Sequence, residues 1–433
     1  MPFTFSRQFQ AVALGCAFFF SRNGVWAAAE NLGGSQQQQC RWNLAGPLAW
    51  REKGVDTCGR PVDDKAAGQR IWSYTPACAH PESGEGAPYC VYSYKENRGG
   101  SGLSVLATPE VAADIEGFLG DPNPTWLHSQ AQRYYQDPQL ENRAFEVRDV
   151  PGKGKGAIAT RLIRAGEVLI RESPAILNIP QLPKGVLPAQ VGGMFELAVK
   201  QLPERQQKRV VGLSRGDADD GGVDMSGDAI NRVLNTNSFG IHVKDHFMAA
   251  LCPDIARINH ACRPNMFTRF SHETFTMEAV AYADIQSGEE LHLSYLPLNL
   301  LSEDRKAMIQ QWGFNCTCSL CSSPDKASES DRNKRRIQEI LDQLQEESNR
   351  TPEKVETFAQ ELFKLLDAER LMFEAGNFAS LLTGVYYSMG EMKKARQVAS
   401  TAVSNNTLYL GHDSVKVQSA KELVEMLAAM DWS

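Results

Sequence analysis

Short apolar runs separated by Gly, Pro and polar clusters fill the middle of the chain. Residues 145–150, 156–160 and 168–172 each read as a strand between such breaks. Similar segments recur at 238–243, 266–270, 275–281 and 290–295, with turns at Ser271-His272-Glu273 and Ser287-Gly288. Residues 181–230 interrupt this pattern with an amphipathic helix over about 194–207, followed by a Gly/Asp-rich loop from Gly212 to Gly227. Beyond Arg336 the period becomes helical. Ile337, Ile340, Leu341 and Leu344 fall on one helix face, then Phe358, Leu362, Leu365 and Leu366 on another. The pattern predicts an α+β protein in which a β-rich core precedes an α-helical tail.

Gly376-Asn377, Gly390 and Asn405-Asn406 punctuate the tail into antiparallel helix pairs of a tetratricopeptide-like kind, which suits a surface for a protein partner. Ahead of the β-rich core, residues 40 to about 130 are rich in Gly, Pro, Asn and aromatic residues and carry no catalytic motif. Cys40, Cys58, Cys78 and Cys90 are widely spaced there and predict two disulfides in a small loop-rich domain, with three pairings open. At the start of the chain, Arg7, an apolar run over 11–20 and Ala27-Ala28-Ala29 resemble a cleaved signal peptide. The run is too short to span a bilayer, so no membrane span is expected after cleavage. Arg7 and Arg22, with no acidic residue before Glu30, also suit a mitochondrial presequence.

The resulting boundaries are 1–29 for the signal peptide, 30–138 for the Cys-rich region, 139–310 for the β-rich domain with its 181–230 insertion, 311–325 for a cysteine knot and 330–433 for the helical region. A chain of 433 residues accommodates several such cores. Its formal charge of -7 argues against a nucleic-acid surface, which needs a concentrated basic patch. The basic cluster over 332–336 reads as a solvated linker.

Chemistry concentrates in a few segments. Cys316, Cys318 and Cys321 are spaced to wrap one metal ion, and a tetrahedral structural site needs a fourth ligand. Lys153-Gly154-Lys155-Gly156 is a Gly-rich turn through which backbone can approach a ligand closely. The string Arg257-Ile258-Asn259-His260-Ala261-Cys262-Arg263-Pro264-Asn265 is far more specific, and Gly288-Glu289-Glu290-Leu291-His292-Leu293-Ser294-Tyr295 follows it. Gly212-Leu213-Ser214-Arg215-Gly216 matches a hydrolase nucleophile elbow, but that motif must follow a strand and open a helix, whereas a polar loop follows here. Asn315, Asn349 and Asn405 begin formal glycosylation acceptors, the first of them inside the cysteine knot.

Together, the Gly-rich turn, the Asn-His string and the segment ending in Tyr295 resemble the SET-domain protein-lysine methyltransferases over about residues 143–323. The nearest likeness is to the SET-and-MYND group, in a fungal-type form without the MYND finger, because 181–230 holds no cysteine or histidine. The resemblance implies that the last two segments thread into a pseudoknot. It implies S-adenosyl-L-methionine held by Lys153, Gly154, Lys155, Gly156, Asn237, Asn259 and His260, with Phe314 stacked on its adenine. It also implies Tyr295 at the methyl-transfer channel and Zn2+ on Cys262, Cys316, Cys318 and Cys321. Ala261 stands where the family usually has Ser, and many relatives have a second Tyr near Trp312. The implied substrate is a protein lysine. The rival from another class is a non-catalytic, zinc-stabilised SET/TPR-like interaction module. The signal peptide implies the secretory pathway, which conflicts with an intracellular methyl donor and with oxidisable thiolates; cytoplasm, nucleus or mitochondrion are the alternatives.

Overall fold

The computed structural model describes residues 71–119, 144–216, 222–346 and 350–430. They fall into two compact units, one ending at Ser322 and the next beginning at Ser323. The 1–29 segment, Cys40, Cys58 and Asn349 lie outside the described residues.

The unit before Ser323 starts with β1 (Ala77–Ala79), β2 (Tyr89–Tyr94), β3 (Leu103–Ala107) and α1 (Pro109–Leu119). β4 (Phe145–Val150), β5 (Gly154–Ala159), β6 (Val168–Glu172) and β7 (Ile176–Asn178) follow. Next come α2 (Pro188–Lys200), α3 (Glu204–Val211), α4 (Gly227–Asn237), β8 (Ser238–Val243) and β9 (His246–Leu251). β10 (Asn259–His260), β11 (Met266–Ser271), β12 (Thr276–Ala281), β13 (His292–Leu293) and α5 (Ser302–Ile309) complete it.

Residues 71–119 differ from the loop-rich, self-contained region expected. β1, β2 and β3 join β7, β9 and β8 in one sheet, ordered β1-β2-β3-β7-β9-β8, with β3 parallel to β7. Every residue of β3 is buried: Leu103 and Val105 pack with α1 through Val111 and Ile115, and Leu106 packs with α2 through Phe195 and Val199. A strand covered on both faces loses the apolar–polar alternation that reveals strands in a sequence. Cys78 and Cys90 sit opposite one another on β1 and β2 and form a disulfide, which leaves one of the three pairings.

The insertion holds two helices and the first turn of a third rather than one. Pro203 lacks an amide hydrogen and closes off α2, while α3 starts at Glu204. α4 rises from the end of the Gly/Asp-rich stretch, where the Ser226 hydroxyl accepts from the Ala229 amide at 3.3 Å. Gly212–Gly216 follows the helix α3 instead of a strand, which removes the hydrolase pattern.

Glu172, at the end of β6, is 1% exposed and anchors the turn leading into the Asn-His string. It accepts from the amides of Asp254 (2.9 Å) and Ile255 (3.1 Å) and from the Arg209 guanidinium, which also meets Asp254 at 2.7 Å. Glu172→Ala leaves two amides without their acceptor and the largely buried Arg209 with Asp254 as its remaining carboxylate. We expect a loss of about 3–5 kcal/mol, read from denaturant midpoints at unchanged m-value.

The second unit contains α6 (Pro324–Gln345), α7 (Pro352–Ala368), α8 (Ala375–Ser388), α9 (Met392–Leu410) and α10 (Val415–Ala429), with consecutive helices packed on one another. The basic cluster at 332–336 lies inside α6 rather than in a linker. The Ser323 hydroxyl caps the helix and Pro324 starts it. Lys334 is buried, and Arg336 makes a bidentate pair with Glu361 at 2.7 and 2.8 Å. Asn405 lies mid-helix in α9 and donates to the Thr401 carbonyl at 3.2 Å, not in an open acceptor loop. Among the described residues, no helix is long and apolar enough to cross a membrane.

Candidate active site and metal centre

Three segments far apart in sequence meet beside the β4–β5 hairpin. Gly152 and Gly154 turn the hairpin with φ of +73° and +71°, a region that non-glycine residues rarely adopt. β5 then lies against residues 289–291, with the Ala159 amide donating to Glu289 O and the Leu291 amide to Ala157 O, both at 2.8 Å. β10 and β13 run parallel, Asn259 opposite His292 and His260 opposite Leu293. Asn265 stitches the same two segments together. Its Nδ2 donates to Glu290 O at 2.9 Å, and its Oδ1 accepts from the His292 amide at 2.7 Å.

Glycine at 156 is a packing requirement. A Cβ there would lie 2.7 Å from both Asn259 Nδ2 and Val150 Cγ2, and 3.0 Å from Glu290 Oε1. Around Gly154 nothing lies within 4 Å. Gly154→Ala therefore meets only backbone strain of about 1 kcal/mol, while Gly156→Ala must also displace Asn259 and should cost about 1–3 kcal/mol. Thermal unfolding of the two variants side by side checks the order, and equal losses would mean that the contact with Asn259 yields freely.

Glu290 is the polar hub that the sequence reading left without a role. Its carboxylate accepts from Lys153 Nζ at 2.7 Å and Asn259 Nδ2 at 2.9 Å, and His292 Nε2 lies 3.1 Å away. Burial alone would raise its pKa, but the bonds from Lys153 and Asn259 outweigh it and hold the carboxyl below its ordinary range. Burial lowers the pKa of His292. A signal existed in the sequence, since Glu290 follows a Gly288 turn and precedes the apolar Leu291. A half-buried carboxylate at such a place needs partners.

Lys153, Gly156 and Asn259 thus converge, and Gly154 forms the turn. Lys155 is exposed and pairs with Asp149 at 2.8 Å. Asn237 ends α4, and its amide donates to the carbonyls of Ser214 and Val233, both at 2.7 Å. The neighbouring Thr236 carbonyl accepts from Trp312 Nε1 at 3.0 Å.

Tyr295 is largely buried between two rings, with centroids 5.3 Å from His260 and 5.6 Å from Trp312. Its hydroxyl donates to Ile258 O at 3.1 Å, and its backbone amide donates to His260 Nδ1 at 3.1 Å. Burial, helped by the negative charge of Glu290, pushes its pKa up to about 12, so the phenol stays neutral at any physiological pH. Phe314 lies 6.2 Å from the His260 ring, between Trp312 and the cysteines.

The Sγ atoms of Cys262, Cys316, Cys318 and Cys321 all lie within 4.8 Å of one another. Cys262 stands 3.9 Å from Cys316 and 3.4 Å from Cys321. Four thiolates at ~2.3 Å from one ion in a tetrahedron are about 3.8 Å apart, so the group could hold a metal ion. Cys252, the other unbridged cysteine among the described residues, is fully buried elsewhere, where burial raises its pKa and keeps it protonated.

The SET domain family model matches residues 154–296. N-lysine methyltransferase SMYD2 from Homo sapiens is 33% identical over 96 residues, 22% of each chain. SMYD2-A from Danio rerio is 34% identical over 96 residues. SMYD2 from Gallus gallus is 31% identical over 112 residues, 25% of this chain and 24% of the relative. The matches thus span less than a quarter of these relatives' own length. The match runs from the Gly-rich hairpin to the residue after Tyr295, so residues 154–296 carry a SET domain, similar over part of its length to the SMYD2 lysine methyltransferases.

Proposed function

We propose that the protein transfers a methyl group from S-adenosyl-L-methionine to the side chain of a protein lysine, with a zinc ion on Cys262, Cys316, Cys318 and Cys321. The observation that carries this reading is that the Gly-rich hairpin meets Asn259 and Glu290 beside His260, whose ring touches both the Tyr295 amide and the cysteine cluster. When bound, S-adenosyl-L-methionine supplies an electrophilic methyl on a sulfonium. The residues of the chain align, desolvate and orient. The backbone around Gly154 and Gly156 offers close approach, and Lys153 and Asn259, both now held by Glu290, are the polar groups available to a zwitterionic amino acid.

Tyr295 has its proton committed to Ile258 O, which leaves the phenol oxygen as an acceptor. A phenol neutral up to about pH 12 is no general base. It fixes the direction of an amine N–H instead. A lysine with an ordinary pKa near 10.4 arrives protonated, and exclusion of water beside the largely buried Tyr295 disfavours that charge. The resulting rate should rise with pH through the deprotonation of the incoming amine, with no break from Tyr295.

The test incubates zinc-loaded full-length protein with methyl-labelled S-adenosylmethionine and a mixture of lysine-rich proteins, and reads label on lysine by mass spectrometry. Calorimetry of the cofactor alone runs in parallel. Absence of both cofactor binding and labelled lysine would overturn the enzyme reading in favour of a SET/TPR-like interaction module.

A further inference from the structure

His260 carries a side-chain arrangement that cofactor contact by its backbone does not require. It is 5% exposed, and both ring nitrogens are in use. Nδ1 accepts from the Tyr295 backbone amide at 3.1 Å, and Nε2 lies 3.3 Å from Cys262 Sγ. A backbone amide can only donate, so Nδ1 bears no proton, and the neutral ring carries its hydrogen on Nε2, aimed at sulfur. His260 ends β10 and Cys262 follows two residues later in a bend, which brings its sulfur back to the ring. A metal-bound thiolate is a charged acceptor, and a bond to it is stronger than one to a neutral thiol.

We infer that His260 is a positioning residue that mechanically links the cysteine centre to Tyr295. A metal on the four cysteines would hold Cys262 as a charged acceptor, which would fix the imidazole through Nε2–H. The fixed Nδ1 in turn holds the Tyr295 amide, and with it the strand end from which the phenol projects. The Ile258 carbonyl, two residues before His260, receives the phenol proton, so one short segment holds Tyr295 at both its amide and its hydroxyl. The inference rests on the proposed zinc site and methyl-transfer role, but the first measurements below need no turnover.

Two substitutions divide the ring's bonds. In His260→Asn the carboxamide oxygen falls near the Nδ1 position and keeps an acceptor for Tyr295, but the donor to Cys262 is lost. In His260→Gln the longer carboxamide reaches the Nε2 position and keeps a donor for sulfur, but Nδ1 is lost. By chelator competition, zinc affinity should fall about ten-fold or more in the Asn variant and stay within about three-fold of the parent in the Gln variant. Hydrogen exchange at the Tyr295 amide should accelerate at least ten-fold in the Gln variant, and also in the parent protein once zinc is stripped. Ring 15N shifts of the parent should show a bare Nδ1 and a protonated Nε2. In an active preparation, the Gln variant should lose kcat with KM for the cofactor little changed.

Unchanged zinc affinity in the Asn variant, or a Tyr295 amide indifferent to zinc removal in the parent protein, would overturn the link. The parent measurements decide the matter if either variant does not fold. An inactive protein that passes the zinc and exchange tests would refute the methyltransferase reading and leave the link standing.

Discussion

Tyr295→Phe is expected to leave S-adenosylmethionine affinity within about two-fold of the parent and to lower turnover ten-fold or more. The ring remains between His260 and Trp312, so the packing that shapes the pocket is kept. What disappears is one oxygen. In the resting protein that oxygen donates to Ile258 O, and its loss leaves a backbone carbonyl with one partner fewer, a cost of about 1 kcal/mol to stability. In the reaction it removes the acceptor that orients the incoming amine, a contact of value mainly in the transition state. Calorimetry and single-turnover kinetics on one preparation separate the two effects. A variant with parental turnover on an unambiguous protein substrate would remove Tyr295 from the chemistry.

Cys262→Ser should release zinc as completely as Cys318→Ser, although the two positions are far apart in sequence. A hydroxyl is a poor ligand for zinc among three thiolates, and a structural site needs all four. The segment over 312–316, with Trp312 and Phe314, should then detach from the Asn-His string, taking a wall of the proposed cofactor pocket with it. Both cysteine variants and the chelator-stripped parent are therefore expected to lose cofactor binding together with stability. Cys78→Ser is the control. It opens the β1–β2 disulfide and should lower stability under oxidising conditions while zinc stays at about one per chain. Full zinc occupancy in Cys262→Ser would place the fourth ligand elsewhere.

The parts of the site legible in the sequence were those written as local strings. Strands over 145–150, 168–172 and 238–243 emerged with their bounds because each has Gly, Pro or polar breaks beside it. Three of the four cysteines announced themselves by spacing. The fourth, Cys262, came only from family resemblance, because nothing local marks a residue whose partners arrive 54 or more positions later. β3 and β7 were missed because burial on both faces erases alternation. β10 is two residues long, too short to have a period at all, and of the strand read over 290–295 only His292–Leu293 pairs, as β13. Glu290 and Asn265 lay inside quoted motifs but had no visible role. Their work is to join segments, and joining shows only when the segments are side by side.

The parallel seam between β10 and β13 has a kinetic consequence. The hairpins β4–β5, β8–β9 and β11–β12 close over a few residues and can form early, whereas Asn259 must wait for His292 to return across the whole of β11 and β12. Contacts of such long sequence separation pay their loop entropy before any bond rewards it, and so they form late. A seam of two residue pairs adds little to the rate-limiting nucleus. Mutations there, such as at Asn265, should speed unfolding while leaving the refolding rate nearly untouched.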